Sequence, residues 1–207
     1  MVIGTSEAYS QEKKDTLFYP SFRIGAELSY PARLLFESHT KQFEASVDYN
    51  FKENIFAVLE GGILTADIQR EDFDYYTDGW FFRTGINFNL LGRDVLEDND
   101  IVYVGIRYAY ANQKYGADNI IVYDDYWGNY LPPDEQTTLE AHWSELAAGV
   151  KTELFRNLFV GWSVRFKVMV SKTEKTLIKP YKISGFGQGI DNTVFGFNYS
   201  IYYRLSF

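Results

Sequence analysis

Two histidines and no cysteine bound the chemistry open to this chain of 207 residues. Without thiols there is no disulfide, no thiolate metal site and no cysteine nucleophile. His39 stands in the run Glu37-Ser38-His39-Thr40, and His142 lies close to Ser144 and Glu145. A serine activated by a histidine that an acid orients is a nucleophile for acyl transfer, and each run can be drawn as such a set. Adjacency in sequence does not make a triad, which is defined by side chains meeting in space. We therefore read both histidines as polar residues at a rim and assign no catalytic residue, cofactor or metal site.

Grouped carboxylates are the second candidate. Segment 66–79 holds Asp67, Glu71, Asp72, Asp74 and Asp78 against Arg70. Segment 112–140 holds Asp118, Asp124, Asp125, Asp134, Glu135 and Glu140 against Lys114. Calcium suits such groups, and the interleaved Tyr75, Tyr76, Tyr123, Tyr126, Trp127 and Tyr130 suit a protein or a glycan. No EF-hand-like spacing is present, so the preferred reading is a set of solvated, charged loops. Segment 171–193 is basic instead, with Lys172, Lys175, Lys179 and Lys182 against Glu174 and Asp191. Its stretch ISGFGQGI lacks the charge and length of a phosphate loop, and Gly185, Gly187 and Gly189 read as loop punctuation. Twenty basic against 28 acidic residues give a formal charge of −8. That leaves no basic footprint for nucleic acid.

The elements that must carry these residues follow a period of two, the mark of strands with one apolar face. Phe195, Phe197, Tyr199, Ile201, Tyr203, Leu205 and Phe207 alternate with Gly196, Asn198, Ser200, Tyr202, Arg204 and Ser206. Leu158 to Val170 is as regular. The same pattern predicts strands over Phe22–Tyr30, Phe43–Phe51, Ile55–Thr65, Trp80–Leu90, Val102–Tyr110 and Leu146–Leu154. None of the eight apolar faces carries Asp, Glu, Lys or Arg, although 23% of the chain is charged. The opposite faces collect Glu27, Glu44, Asp48, Glu60, Glu145 and Glu153 against Arg23, Arg83, Arg107, Lys151, Arg165, Lys167 and Arg204.

A soluble barrel would turn the apolar faces inward, and a membrane barrel turns them outward. Bulky Phe, Tyr and Trp side chains on every strand cannot all fit inside eight strands. Connection lengths also alternate. Segments 31–42, 66–79, 111–145 and 171–194 are long, whereas 52–54 and 155–157 have three residues each. Outer-membrane barrels have this parity, with long outer loops and short periplasmic turns. The prediction is an all-β, eight-stranded antiparallel up-and-down transmembrane β-barrel over residues 17–207, with both ends in the periplasm. Trp80, Phe82, Tyr108 and Tyr110 would form part of an outer aromatic belt. Ile120-Ile121-Val122-Tyr123 reads as a short strand that Pro132-Pro133 would end. Residues 1–16 read as the tail of a signal sequence or a disordered N-terminal arm.

The closing run FGFNYSIYYRLSF resembles the C-terminal insertion signal of Gram-negative outer-membrane barrels, with Tyr203, Leu205 and Phe207 as its outward residues. Strand number and loop parity resemble the small OmpA/OmpX-type barrels. More narrowly, WSELAAGVKTELFRNLFVGWSVRFKV followed by ISGFGQG is similar to an uncharacterised family of Bacteroidota outer-membrane proteins, which implies no activity to transfer. The resemblance implies outer-membrane lipid, lipopolysaccharide and the barrel-assembly machinery as surroundings, and leaves room for an envelope protein partner.

An eight-stranded lumen is narrow enough for side chains to fill it. Arg23, Glu27, Glu44, Asp48, Glu60, Arg83, Arg107, Glu145, Arg165, Lys167 and Arg204 should therefore form a paired network there. The expected role is structural or interactive and non-enzymatic. A rim-active lipid-modifying enzyme and a small-solute channel are the alternatives.

Overall fold

Alternation becomes a closed wall in the computed structural model, which describes residues 20–30, 39–69, 73–91, 99–119, 135–173 and 179–206. The strands are β1 (Ser21–Glu27), β2 (Thr40–Lys52), β3 (Ile55–Gln69), β4 (Asp74–Asn89), β5 (Ile101–Asp118), β6 (Glu135–Phe155), β7 (Leu158–Lys172), β8 (Lys182–Ile183), β9 (Gly187–Gln188) and β10 (Thr193–Ser206). Eight of them close antiparallel in the order β1-β10-β7-β6-β5-β4-β3-β2. The short β8 and β9 pair with each other. Residues 1–16, Glu37, Ser38, the 120–123 segment, Tyr126, Trp127, Pro132-Pro133 and Phe207 lie outside the described residues.

Both tight turns are set by an asparagine. Asn54 (φ 62°) and Asn157 (φ 68°) take the left-handed backbone that Asn tolerates better than other side chains. Each turn has a register shift beside it, between Asn50 and Lys52 and between Glu153 and Phe155. Following paired residues once around the barrel from Thr193 leads back to β10 at Tyr203, ten positions further along. With ordinary strand rise and spacing, that stagger tilts the strands about 40° from the barrel axis.

The outward side chains include Ile24, Phe43, Leu59, Ile63, Trp80, Phe82, Ile106, Leu146, Trp162, Phe195, Phe197 and Tyr203, all exposed. Inside, Arg23, Glu44, Asp48, Glu60, Arg83, Arg107, Glu145, Lys151 and Arg165 are buried. Charge inside and aromatic surface outside is the inverted burial of a transmembrane β-barrel.

Strand lengths depart from expectation in both directions. β1 stops at Glu27, although alternation predicts it to run on to Tyr30. β4, β5 and β6 run far past their predicted upper ends, so much of 111–145 is wall rather than loop. The physical reason is a reversal of polarity. Below this level β5 faces Ile106 and Tyr108 outward and Arg107 inward; above it Asn112 and Lys114 face out while Ala111, Gln113 and Tyr115 are buried. Likewise, β6 turns Thr138 and Glu140 outward and buries Leu139, Ala141 and Trp143. The wall leaves the membrane there and is built like a soluble barrel, with an apolar interior.

That interior is filled by the segment read from sequence as loop punctuation. Ile183 and Phe186 join Tyr75, Phe81, Ala109, Ala111, Tyr115, Leu139, Ala141 and Trp143 in one buried cluster. The β8–β9 hairpin is thus a plug folded into the mouth at the long-connection end. Gly185 is required at its bend: its φ is +74°, and a Cβ there would sit 2.5 Å from the Phe81 ring.

Candidate functional site

Each strand from β2 to β7 contributes one charged side chain to a level in mid-barrel: Glu44, Glu60, Arg83, Arg107, Glu145 and Arg165 in turn. Alternation aims all six inward, and the stagger of the wall brings them together. Arg83 is 1% exposed and reaches three carboxylates: it pairs with Glu44, sits 2.8 Å from Glu60 through Nε and 3.4 Å from Glu145 through Nη1. Arg165 Nη1 lies 2.6 Å from Glu60 and 3.5 Å from Glu145. Arg107 Nε donates to Glu60 at 3.3 Å. Three guanidinium groups thus meet three carboxylates, and the level is neutral. Trp143 Nε1 donates to Glu145 at 2.6 Å and joins the ion pairs to the apolar cluster above.

The remaining inward charges do different work. Lys151 pairs with Asp48 lower in the lumen and lies over the Tyr202 ring at 4.0 Å. Arg23 is sandwiched between Phe56 and Phe159, at 5.1 and 5.0 Å from their centroids. Arg204 sits at the short-turn end, 3.5 Å from Glu153 and bonded to Asn99 and Asn157. Glu27 caps the end of β1, accepting from the backbone N–H groups of Ser29, Tyr30 and Tyr199. Lys167 donates to the carbonyls of Gly185 (2.6 Å) and Phe186 (3.0 Å), so it holds the plug from below. The residues expected in one network therefore divide into a six-membered level, Asp48 in a lower pair with Lys151, Arg23 between two rings, two terminal caps and a plug clamp.

The plug has further anchors. Gln113 Nε2 donates to the Lys182 carbonyl at 2.8 Å, and its Oε1 accepts from the Ser184 N–H at 2.7 Å. The Tyr181 N–H donates to the Tyr75 hydroxyl at 3.2 Å. Tyr75 lies in the part of the wall beyond the belt, where burial pushes its hydroxyl above the ordinary tyrosine value. Phe186 meets Trp143 edge to face, with centroids 5.6 Å apart. Gln113, Trp143 and Phe186 were not singled out from sequence; the inward phase of β5 and β6, carried past the belt, contains the first two.

Neither drawn triad is assembled from described residues. Ser144 and His142 face outward on β6, while Glu145 points into the lumen and is committed to arginine. His142 Nδ1 instead lies 3.1 Å from the Tyr108 hydroxyl, within the outer aromatic belt. His39 is exposed at the barrel rim, and its neighbours Glu37 and Ser38 lie outside the described residues. Among the described residues no group of three or more His, Asp or Glu is placed to hold a metal ion.

Over residues 1–207 the chain matches the family described as "Domain of unknown function (DUF6048)". It belongs to that family. This DUF6048 chain is an integral outer-membrane β-barrel by its inverted burial and closed eight-stranded wall. No curated protein matches its sequence. Among solved structures it is similar to the N-terminal β-barrel domain of Pseudomonas aeruginosa OprF, at 12% identity and a TM-score of 0.49, over 89% of this chain and 97% of that one. A major outer-membrane protein of Thermus thermophilus is 11% identical with a TM-score of 0.48, over 90% and 98% of the two chains. Ail, the attachment invasion locus protein of Yersinia pestis, is 9% identical with a TM-score of 0.44, over 90% and 97%.

Proposed function

We propose that this DUF6048 barrel is a non-conducting, non-enzymatic component of a Gram-negative envelope, acting as an accessory subunit that binds a protein partner through its outer rim. The observation that carries this reading is the double seal of the lumen. The neutral level around Arg83 fills the membrane-embedded part, and the plug around Phe186 fills the part above it. With the interior closed, the outward surfaces are what remain to act. The wall of β4, β5 and β6 rises past the belt and shows Asp78, Lys114 and Glu140 to the outside. The resemblance to Bacteroidota outer-membrane proteins supports a setting of lipopolysaccharide outside and assembly machinery inside.

Extraction in mild detergent followed by affinity capture tests the role, with one stoichiometric envelope protein as the expected result. Recovery of the barrel alone, at any detergent strength, would count against a subunit. Planar bilayers test the seal. The unmodified protein should show no stable, porin-sized current, and steady open channels would move the reading to transport. Arg107→Ala should admit at most small, flickering currents, because it leaves part of the Glu60 charge unpaired.

A further inference from the structure

On the outward face of β4 to β7 the side chains form rows that follow the register. Ile86, Ile106, Leu146 and Phe166 make one bulky, apolar row. Two residues nearer the plug on each strand, the next row is Thr84, Tyr108, Ser144 and Val168. Phe82, Tyr110 and His142 follow, and the wall is bulky again. Small side chains between two bulky rows leave a groove.

A cavity of about 460 Å³ lies there, within the range of small-molecule sites, and every residue that bounds it is described. Tyr108 leans out of it, its hydroxyl 3.1 Å from His142 Nδ1 in the row above. Arg107 and Glu145 also line it, yet both side chains are committed to the lumen. What they show to the groove is main chain, so it reaches down to the wall itself. Its lining is almost wholly apolar. Thr84 and Ser144 are the exceptions, both exposed and without a hydrogen-bond partner among the described residues. A hydroxyl in an apolar medium is costly unless something accepts from it. Above the groove lies a polar ledge. Asn112 and Glu140 stand opposite each other, next to Tyr110 and His142, whose ring centroids are 4.8 Å apart. Trp80 lies 5.5 Å from Tyr110. Among the described residues the ledge holds no cation: Lys114 is one row higher, opposite Asp78, and Lys172 donates to the Gly189 carbonyl.

We propose that this groove holds one acyl chain of an outer-leaflet glycolipid of the lipopolysaccharide type, with its saccharide head on the ledge. The ester or amide carbonyl that joins chain to head accepts from Ser144 and Thr84. Depth supports the assignment. Two residues along strands tilted about 40° descend about 5 Å, which sets the hydroxyls just beneath the headgroup level marked by Tyr110 and His142. A bare phosphate head is held by arginine or lysine, which the ledge lacks. Sugar hydroxyls instead suit its amide, carboxylate, imidazole and ring faces. The site rests on the placement of the long-connection end in the outer leaflet. It needs no protein partner, so its failure would leave the subunit reading untouched.

Native mass spectrometry of the full-length barrel, released from detergent micelles, tests it. The probes are purified lipid A and phosphatidic acid, which carries a phosphate but no sugar. One retained lipid A per barrel is expected, several-fold more abundant than retained phosphatidic acid at equal concentration. Ser144→Leu fills the groove with a side chain that a lipid-facing wall accepts, and should abolish that retention. Ala148→Leu, the same enlargement further down the outward face of β6 and outside the groove, should leave it unchanged. Asn112→Ala combined with Glu140→Ala should remove the preference for lipid A. Heat-dependent gel migration reports that each variant has folded. Lipid A retained equally by folded Ser144→Leu would overturn the groove as its site, as would equal loss in Ala148→Leu. Equal retention of the two probes by the unmodified barrel would overturn the saccharide contact, and so would an undiminished preference in the double variant. A second barrel copy retained in place of lipid would make the groove a protein interface and overturn the proposal.

Discussion

Arg83 and Arg165 tie the lumen together, since each reaches the carboxylates of Glu44, Glu60 and Glu145, and Arg83 does so with all three of its nitrogens. Removing one partner of a buried ion pair leaves the others uncompensated in a low-dielectric site, at a cost of about 3–5 kcal/mol. Arg83→Met should therefore lower the urea midpoint of the folded barrel in lipid vesicles by an amount of that order, and Lys114→Met, outside the wall, should hardly move it. A midpoint for Arg83→Met equal to that of Lys114→Met would mean that the level adds nothing to stability. The inward placement of Arg83, Glu44, Glu60 and Glu145 was legible from alternation. Their partners were not, because pairing across the lumen depends on the stagger of the wall, which no single strand encodes. Glu27 and Lys167 illustrate the limit. Both face inward as the period of two requires, yet each bonds to backbone groups, Glu27 at a strand end and Lys167 on the plug.

At the scale of elements, bilayer physics made eight strands readable and also hid their true ends. Within the membrane the outward residue must be apolar and the inward one polar; past the belt the same alternation continues with the opposite meaning. A search for apolar outward positions therefore loses β5 at Tyr110 and finds β6 only from Leu146, although the phase never breaks. The plug was hidden for another reason. Two strands of two residues give no period at all, and ISGFGQGI reveals its core only through contacts with Phe81 and Trp143. Gly185→Val should detach the plug, since the left-handed backbone and the Phe81 ring both exclude a branched side chain. The expected outcome is cleavage by added protease between Lys179 and Asp191 in the variant, with the unmodified hairpin resistant. Equal resistance in both would show that the bend tolerates a side chain and that the plug is not held there. Phe186→Ala should act in the same direction, costing about 3–5 kcal/mol for a large core truncation.

For the whole molecule, the orientation follows from which end carries the extended wall and the plug. Amine-reactive label applied to intact cells should modify Lys179 and Lys114 and spare Lys52 in the β2–β3 turn; modification of Lys52 alone would reverse the orientation. The short first strand has a consequence for how the ring comes apart. Seven ladder positions join β1 to β10 and six join it to β2, against seventeen between β5 and β6. Like the thinnest stave of a cask, β1 is the place where the hoop parts first. Amide hydrogens of Ile24 and Ala26 should exchange with solvent deuterium well before those of Ile106 and Leu146. Any transient breach would then open along β1, between β2 and β10, so that the molecule has a built-in side along which it unzips and is zipped shut.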